Sequence, residues 1–339
     1  MATDMKPVIL NQRLVFADFA KLFAMFVVTW GHCAQCMSGQ TFPELFGKPG
    51  ILIAFHMPLF MMVSGYFIHP ERIREKKWLT YIWEKFQRLV VPAMAWYICF
   101  CLLTVQKPHL MGIFGFYWFL TSMFISLVLI SIVAKCNKGD HLLLYLCSAI
   151  IVILLPYSSY LHVNFMYPMM VGGLVFRKAT FLLNGKCLTI CAIALFVLSI
   201  ILLYFWNVRH SVYLTPFDSL HFSENSLYSL FIRLMTGIVV SSFFIVLFML
   251  ADQSRIIQQL AQYGKFTLVM YTASFIFNQL TDIFLSHLHV RFSQMGLLEL
   301  SSCMMSIIVC FLCVMLAKRL EKNKLTKRLL LGISHTSTR

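Results

Sequence analysis

The stretch CLTICAIALFVLSIILLYFW, residues Cys187–Trp206, carries no charged side chain over twenty consecutive residues. A transmembrane helix needs about 20 predominantly apolar residues to cross the hydrocarbon core of a bilayer. Similar apolar runs recur from Leu14 to Ala317 and are separated by short polar segments. The pattern therefore predicts an integral membrane protein that crosses the bilayer several times.

The composition of the whole chain agrees with this interpretation. Of 339 residues, 60% are hydrophobic and only 12% are charged, and the mean hydropathy is +0.79. A soluble domain has about 25% charged residues. A chain this apolar needs lipid as its solvent, because folding alone cannot hide its surface from water.

The apolar runs predict one all-α domain over residues 1–339, a bundle of about ten transmembrane helices. The fifth and sixth spans are short and contain Pro156 and Pro168, so they could be tilted, broken or re-entrant. The expected spans are 14–34, 50–69, 89–106, 112–134, 141–156, 161–177, 187–206, 230–250, 265–286 and 297–317.

The distribution of basic residues predicts the orientation of the bundle. With both termini in the cytoplasm, 22 of the 28 Lys and Arg residues fall on the inner side, four fall in outer loops, and Lys21 and Arg233 lie within spans. Cytoplasmic loops carry an excess of Lys and Arg. We expect a multi-pass protein of the inner (cell) membrane, and the net charge of +15 reflects its orientation. This charge does not indicate nucleic-acid binding, since no soluble domain carries a basic stripe.

The cysteine pairs are interpreted as buried structural residues. The pairs Cys33/Cys36 and Cys310/Cys313 each have i,i+3 spacing on a predicted helix. In zinc and redox motifs, a second pair or further ligands follow a cysteine pair at a characteristic spacing. Neither of these two pairs has such a partner nearby in the sequence. We therefore expect no metal site.

The first span holds three ionisable residues, Asp18, Lys21 and His32. Ionisable side chains within a membrane span are costly and are functional candidates by default. Lys21 and His32 are eleven residues apart, which returns them to one helix face about 16 Å apart along the axis. The alternative is that these side chains only reach toward the two interfaces.

The second span places His56 roughly level with His32, because the two spans run in opposite directions. His56 lies beside Pro58, which could break the helix. Two histidines at one depth could line one pocket. They could instead ligate a metal or haem, although no carboxylate or thiolate stands at a typical spacing.

Two further groups of residues could contact ligands at opposite faces of the membrane. Lys85 and Arg88 share one helix face at the cytoplasmic mouth of the third span, where such a pair can hold phosphate. They could also serve only as positive-inside anchors. Tyr117 and Trp118 begin the fourth span at its outer end, where aromatic residues form an interfacial belt or could line a sugar site.

Taken together, several segments resemble the membrane acyltransferase-3 family. The resembling segments are Arg13-x-x-x-x-Asp18-x-x-Lys21 leading to Gly31-His32, FHMPLFMMVSGY at 55–66, Lys85-x-x-Arg88-Leu89-x-x-Pro92, YWFL at 117–120, and YGKFTL at 263–268 followed by Tyr271. The resemblance covers the whole bundle and is densest over residues 13–120. In two respects the chain departs from the family pattern: Lys21 and Lys85 replace arginines, and Ser274 stands where many members have a histidine.

The resemblance implies transfer of an acyl group, usually acetyl from acetyl-CoA, to a hydroxyl of an extracytoplasmic glycan or lipid-linked sugar. Acyl-CoA would be a co-substrate, and no permanently bound cofactor is expected. His32 would be the general base, and Lys21 would orient or stabilise the donor path. The donor phosphates would meet Lys85, Arg88 and Arg13. The donor of a hydrogen bond to the oxyanion is not identified from the sequence.

The acceptor would lie in a pocket formed by His56, Tyr117 and Trp118. The sequence leaves the identity of the acceptor glycan and the oligomeric state open. A transporter or flippase is the main alternative, although no inverted repeat with matched broken helices is visible. A quinone- or haem-linked redox subunit is a third, resting on the His32/His56 pair alone.

Overall fold

The computed structural model describes residues 9–10, 13–41, 44–45, 48–139, 141–155, 161–180, 185–215, 217 and 223–333. Within these residues the chain is almost entirely helical. The helices are α1 (Val15–Ser38), α2 (His56–Tyr66), α3 (Pro70–Glu75), α4 (Trp78–Thr104), α5 (Leu110–Gly115), α6 (Trp118–Cys136), α7 (Leu142–Ile153), α8 (Val163–Thr180), α9 (Gly185–Phe205), α10 (Glu224–Leu250), α11 (Arg255–Ala261), α12 (Thr267–His287), α13 (Met295–Leu320) and α14 (Lys324–Leu329).

Short irregular elements connect these helices. Three 3₁₀ helices cover Ile51–Ala54, Val208–His210 and Gln262–Phe266. Strand β1 (Ile9–Leu10) pairs antiparallel with β2 (Arg13–Leu14), and β3 (Glu44–Leu45) pairs antiparallel with β4 (Lys48–Pro49). Each pair has only two residues a strand, so helix packing carries the fold.

Seven helical segments are long and apolar enough to cross a membrane, counted over the described residues. They are α1, α4, α6, α9, α10, α13 and the continuous segment 255–287 that includes α12. The second and fifth predicted spans correspond to shorter apolar helices, at 51–66 and 142–153. The sixth corresponds to α8, which contains Pro168; Pro156 lies outside the described residues.

Helix α4 begins well before the third predicted span. It starts at Trp78, eleven residues ahead of the expected boundary at 89, and continues to Thr104. Charged side chains made residues 78–88 look like a loop in the hydropathy pattern. They nevertheless belong to the helix, so Lys85 and Arg88 share one helical face.

Helix α1 lies at the centre of the bundle, in contact with α2, α10, α11, α12 and α13. Small side chains on α1 permit this close packing, since Ala17, Ala20, Ala24 and Ala34 are fully buried. Small residues allow helix backbones to approach in membrane proteins. The central position places the polar residues of α1 inside the protein.

Helices α2 and α8 cross in close backbone contact at two glycines. A Cβ atom on Gly65 would stand 1.9 Å from the carbonyl oxygen of Met170, and one on Gly173 would stand 1.9 Å from the carbonyl oxygen of Met62. No side chain fits at either position. This crossing fixes α2, and with it His56, against the rest of the bundle.

Contacts between distant residues define the two ends of the bundle. At one end, Gly264 packs on the backbone of Asp18 and Lys265 pairs with Glu321 at 3.2 Å. At the other, Arg291 donates to the carbonyl of Cys36 at 2.6 Å. The start of α1 and the end of α13 therefore lie at the same end.

Candidate active site

A cavity of about 220 Å³ lies beside the second half of α1. Its wall combines α1, Leu45, residues from Gly50 to Met57, Phe116 and Trp118 around the start of α6, Tyr213 after α9, and α12. The lining residues are Val27, Val28, Gly31, His32, Gln35, Leu45, Gly50, Leu52, Ile53, His56, Met57, Phe116, Trp118, Tyr213, Tyr271 and Phe275. His32 and His56 thus face the same cavity, as their matched depth in the sequence suggested.

The side chain of Gln35 holds the His32 ring. Nδ1 of His32 lies 2.9 Å from Oε1 of Gln35, one helical turn later on α1. Nε2 of Gln35 donates to the backbone carbonyl of Thr41. That bond directs the amide oxygen at the imidazole, and a carbonyl oxygen only accepts hydrogen bonds. The proton of neutral His32 is therefore placed on Nδ1, which leaves Nε2 as the basic nitrogen.

His56 has the same tautomer for a similar reason. Its Nδ1 lies 2.5 Å from the carbonyl oxygen of Leu52 in the preceding 3₁₀ helix, so Nδ1 donates. The residue starts α2 and is buried. Its Nε2 is then an acceptor. The cavity therefore contains two imidazoles whose Nε2 atoms can each accept a hydroxyl proton or hydrogen bond.

Aromatic side chains form much of the remaining wall. The Phe275 ring packs on His32 with ring centres 4.8 Å apart. The Trp118 ring meets the Tyr213 ring at 6.0 Å. Much of the remaining wall is therefore apolar and aromatic.

Tyr117, the second aromatic residue expected in the acceptor pocket, lies behind the wall instead of on it. It is fully buried, and its hydroxyl donates to the carbonyl of Thr272 at 2.8 Å. Its ring packs on Tyr271 at 5.8 Å. Tyr117 therefore supports the cavity from outside, because residue 117 precedes the helix by one position and faces α12.

A buried arginine positions the loop that carries Tyr213. Arg233 of α10 is 2% exposed and donates to the carbonyls of His210 at 2.7 Å and Ser211 at 3.2 Å. The pKa of His210 in this loop is lowered, mainly because the residue is partly buried and also because the Arg233 cation is close. The loop is thereby tied down next to the cavity.

Lys21 lies apart from the cavity. It forms an ion pair with Asp18 at 3.1 Å, and its ammonium group stands 5.0 Å from the centre of the Phe67 ring. On α1 the cavity lining begins at Val27, which is six residues or about 9 Å further along the axis. The structure therefore brings His32 and His56 to one cavity. Lys21 lies outside this cavity, nearer the start of α1.

Basic residues gather on α4 at the same end of the bundle as Gly332. The ammonium group of Lys85 stands 5.1 Å from the centre of the Tyr81 ring, and Arg88 is exposed. Gly332 packs on the carbonyl of Arg88, so the segment after α14 docks on α4. With the oxygen and nitrogen of its side-chain amide exchanged, Gln87 accepts from Arg328 of α14 at 3.2 Å. The side chain of Arg13 lies outside the described residues.

Three other residues that the sequence singled out, Cys33, Cys36 and Ser274, make contacts within the helix bundle. Cys33 and Cys36 both contact Asn278, at 3.3 Å each. Ser274 is buried and donates to the carbonyl of Tyr271 at 3.1 Å. Across the described part of the chain, no three His, Cys, Asp or Glu side chains are arranged to hold a metal ion.

Sequence reasoning missed four residues at these sites. Gln35 could have been found from its i,i+3 spacing to His32. Phe275 follows Tyr271 by one turn and could have been found from the same face of α12. Tyr213 and Arg328 had no local signal, because each reaches its site through long-range packing.

The fold and the site define a multi-pass membrane protein with two histidine side chains lining one cavity. A family model described as an acyltransferase domain matches residues 14–315. The chain belongs to this family, the membrane acyltransferase-3 family that its motifs resemble.

The chain is also similar to two curated proteins. It is 26% identical over 193 residues to nodulation protein NolL of Mesorhizobium japonicum, covering 52% of this chain and 51% of that protein. It is 25% identical over 186 residues to nodulation protein NolL of Sinorhizobium fredii, covering 50% of each chain. The chain therefore spans about half the length of the curated relatives it matches. No solved structure matches.

Proposed function

We propose that this protein is a membrane-bound O-acyltransferase that moves an acyl group, acetyl in the simplest case, from cytoplasmic acyl-CoA to a hydroxyl of an extracytoplasmic or lipid-linked glycan. The observation that carries the proposal is the cavity in which Gln35 holds His32 with Nε2 as its basic nitrogen. Membership of the acyltransferase family supports it.

In the proposed reaction, Nε2 of His32 takes the proton of the acceptor hydroxyl. At the same time, the oxygen of that hydroxyl attacks the thioester carbonyl carbon. The tetrahedral intermediate then expels the CoA sulfur as the carbon–sulfur bond breaks. His32 returns the proton to that sulfur, which yields CoA thiol and the acyl ester. A general base of this kind contributes about 10²- to 10⁴-fold in rate.

The cations on α4 would bind the phosphates of CoA. Lys85 and Arg88 share a face of α4, and Arg328 reaches the same helix through Gln87. Hydrogen bonds from cations to phosphate are about twice as strong as neutral ones. Arg13 remains a candidate for this site, and Lys21 would meet the donor between the phosphates and His32.

The cavity would bind the acceptor sugar. Trp118 and Tyr213 supply aromatic surface, and Nε2 of His56 can accept a hydrogen bond from a second sugar hydroxyl. Tyr117 would shape this pocket by holding Tyr271 from behind.

The proposed topology has ten membrane segments with both termini in the cytoplasm of a cell with an inner membrane. The seven long segments together with α2, α7 and α8 make ten, and an even number returns the chain to its starting side. The excess of basic residues at that side supports this orientation. Labelling of single cysteines with an impermeant reagent tests it: residues 223–228 should react in intact cells, and protection there would overturn the orientation.

Purified protein in proteoliposomes tests the function. Labelled acetyl-CoA is supplied on the face bearing Lys85, and a lipid-linked glycan extract of the native membrane is supplied in the bilayer. We expect CoA release together with label in the glycan. Movement of glycan across the bilayer without consumption of acetyl-CoA would indicate the transporter and contradict the proposal.

A further inference from the structure

Acyl transfer through a tetrahedral intermediate needs a group that stabilises the oxyanion formed from the thioester carbonyl. Hydrogen-bond donors aimed at that oxygen often supply the largest single contribution to catalysis. Neither imidazole of the cavity can do this while neutral, because Gln35 and Leu52 occupy the Nδ1 protons. A separate donor is required.

Tyr271 is a wall residue of the cavity that holds His32 and His56. Its side chain is almost fully buried, at 2% exposure. Its hydroxyl oxygen is itself buried and has no hydrogen-bond partner within the described part of the chain. A buried hydroxyl without an acceptor costs free energy, so an acceptor that enters the adjoining cavity and meets this proton would relieve that cost.

Other buried hydroxyls without a partner lie elsewhere. Among the described residues these are Ser122, Ser126, Ser211 and Thr236, and none of them lines the cavity. The hydroxyl of Tyr117 is occupied by Thr272. Tyr213 also lines the cavity, but this residue already has an interaction partner within the protein. Tyr271 is therefore the wall hydroxyl best placed to serve a ligand.

The position of Tyr271 along the bundle suits this role. Helices α1 and α12 run side by side, with Gly264 on Asp18 at one end and Asn278 on Cys33 further along. Phe275 contacts His32, and Tyr271 is one turn, or about 6 Å, nearer the Asp18 end. A thioester arriving from that end reaches Tyr271 before it reaches His32.

The Tyr271 ring is held firmly by its neighbours. It packs on Phe119 at 5.7 Å and on Phe275 at 5.6 Å. A donor that is fixed before the reaction pays no reorganisation cost when charge develops. Packing of this kind also means that removal of the hydroxyl alone leaves the ring in place.

We propose that the Tyr271 hydroxyl donates a hydrogen bond to the thioester carbonyl oxygen and stabilises the oxyanion of the tetrahedral intermediate. This inference rests on the proposed function. No proton leaves Tyr271 in this step; the hydrogen bond strengthens as the carbonyl oxygen gains negative charge, and it weakens again when the carbon–sulfur bond breaks.

Tyr271→Phe tests the proposal, with Tyr167→Phe as the matched control. Tyr167 is also a buried tyrosine, but its hydroxyl bonds to Ser148 at 2.7 Å, away from the cavity. CoA release from acetyl-CoA is measured with water and with methyl glucoside as acceptors. Loss of one oxyanion donor should lower kcat about 10²- to 10³-fold. Tyr167→Phe should stay within about threefold of wild type.

Binding of acetonyl-CoA, a ketone analogue that cannot transfer its acyl group, separates the transition-state role from donor binding. We expect Tyr271→Phe to bind this analogue within about threefold of wild type, since the hydrogen bond gains strength only as charge develops. A kcat within threefold of wild type for Tyr271→Phe, or equal losses in both variants, would overturn the role of Tyr271 while leaving the function intact. A wild-type protein that never releases CoA would overturn the function and this role together.

Discussion

Nδ1 of His32 lies 2.9 Å from the amide oxygen of Gln35, and the amide nitrogen of Gln35 donates to the carbonyl of Thr41. The chain of two hydrogen bonds runs from a backbone carbonyl to an imidazole. A backbone carbonyl accepts only, so the order of donors and acceptors along this chain is determined. His32 is thereby presented to the cavity with a defined basic nitrogen.

Gln35→Leu should lower kcat by about 10- to 100-fold, because the imidazole loses the partner that selects its tautomer. In a serine protease, loss of tautomer control lowers kcat by up to about 10⁴-fold. Gln35→Glu keeps an oxygen that accepts from Nδ1 and should recover most of the activity. The measurement is acetyl-CoA turnover per folded molecule. Equal activity in Gln35→Leu and wild type would show that the contact is not catalytic.

Gly31 should control the size of the acceptor. It lines the cavity, and a Cβ there would meet nothing within 4 Å. Gly31→Val should therefore fold normally and reduce transfer to a glycan at least tenfold, while hydrolysis of acetyl-CoA by the smaller acceptor water persists. Gly296→Val is the matched control, since Gly296 of α13 has the same free space outside the cavity. Unchanged transfer to glycan in Gly31→Val would place the acceptor elsewhere.

Replacement of both Lys85 and Arg88 by Ala should weaken CoA binding by tens-fold or more, since each charge-assisted contact is worth about 1.5–3 kcal/mol. Arg328→Ala should weaken it by a smaller factor. Lys186→Ala, an exposed cation at the start of α9, is the control. Titration calorimetry of CoA with each variant in nanodiscs gives the comparison. Wild-type affinity in the double variant would make the pair membrane anchors only.

Gly173→Ala should destabilise the protein, whereas the adjacent Gly172→Ala should not. The new Cβ at 173 would stand 1.9 Å from a backbone oxygen, but the one at 172 has 4.0 Å of clearance. Overpacking costs about 1–3 kcal/mol, and a backbone atom cannot move aside easily. Thermal unfolding in detergent should show a lower Tm for Gly173→Ala alone. Equal Tm values for both variants would mean that α2 and α8 do not cross this closely.

The sequence predicted the apolar helices and the depth of His32 and His56, because hydropathy and helix spacing are local properties. It missed the true start of α4 at Trp78, since a charged helix end looks like a loop in a hydropathy pattern. It could not predict that Arg328 reaches Gln87 or that Tyr213 joins the cavity wall. Those contacts depend on how distant helices pack, and the sequence has no local pattern for them.

Helix α1 shows the same contrast between local contacts, which the sequence spacing indicates, and long-range packing, which it does not. Asp18 and Lys21 lie three positions apart on α1, a spacing that allows an ion pair on a helix, and the structure has this contact at 3.1 Å. The spacing between Lys21 and His32 also predicted one shared face. It did not predict that the described cavity lining begins at Val27, because side-chain packing between the two residues decides where space remains.

The most direct test of the central claim is turnover of His32→Ala per folded molecule. Loss of a general base lowers the rate by about 10²- to 10⁴-fold, so CoA release from acetyl-CoA should fall by at least a hundredfold. The amount of folded protein and the affinity for CoA should stay near wild type, because Lys85 and Arg88 are on another helix. His56→Ala should lose less if it only binds the acceptor. Retention of a third or more of wild-type turnover by folded His32→Ala would contradict the assignment of His32 as the base.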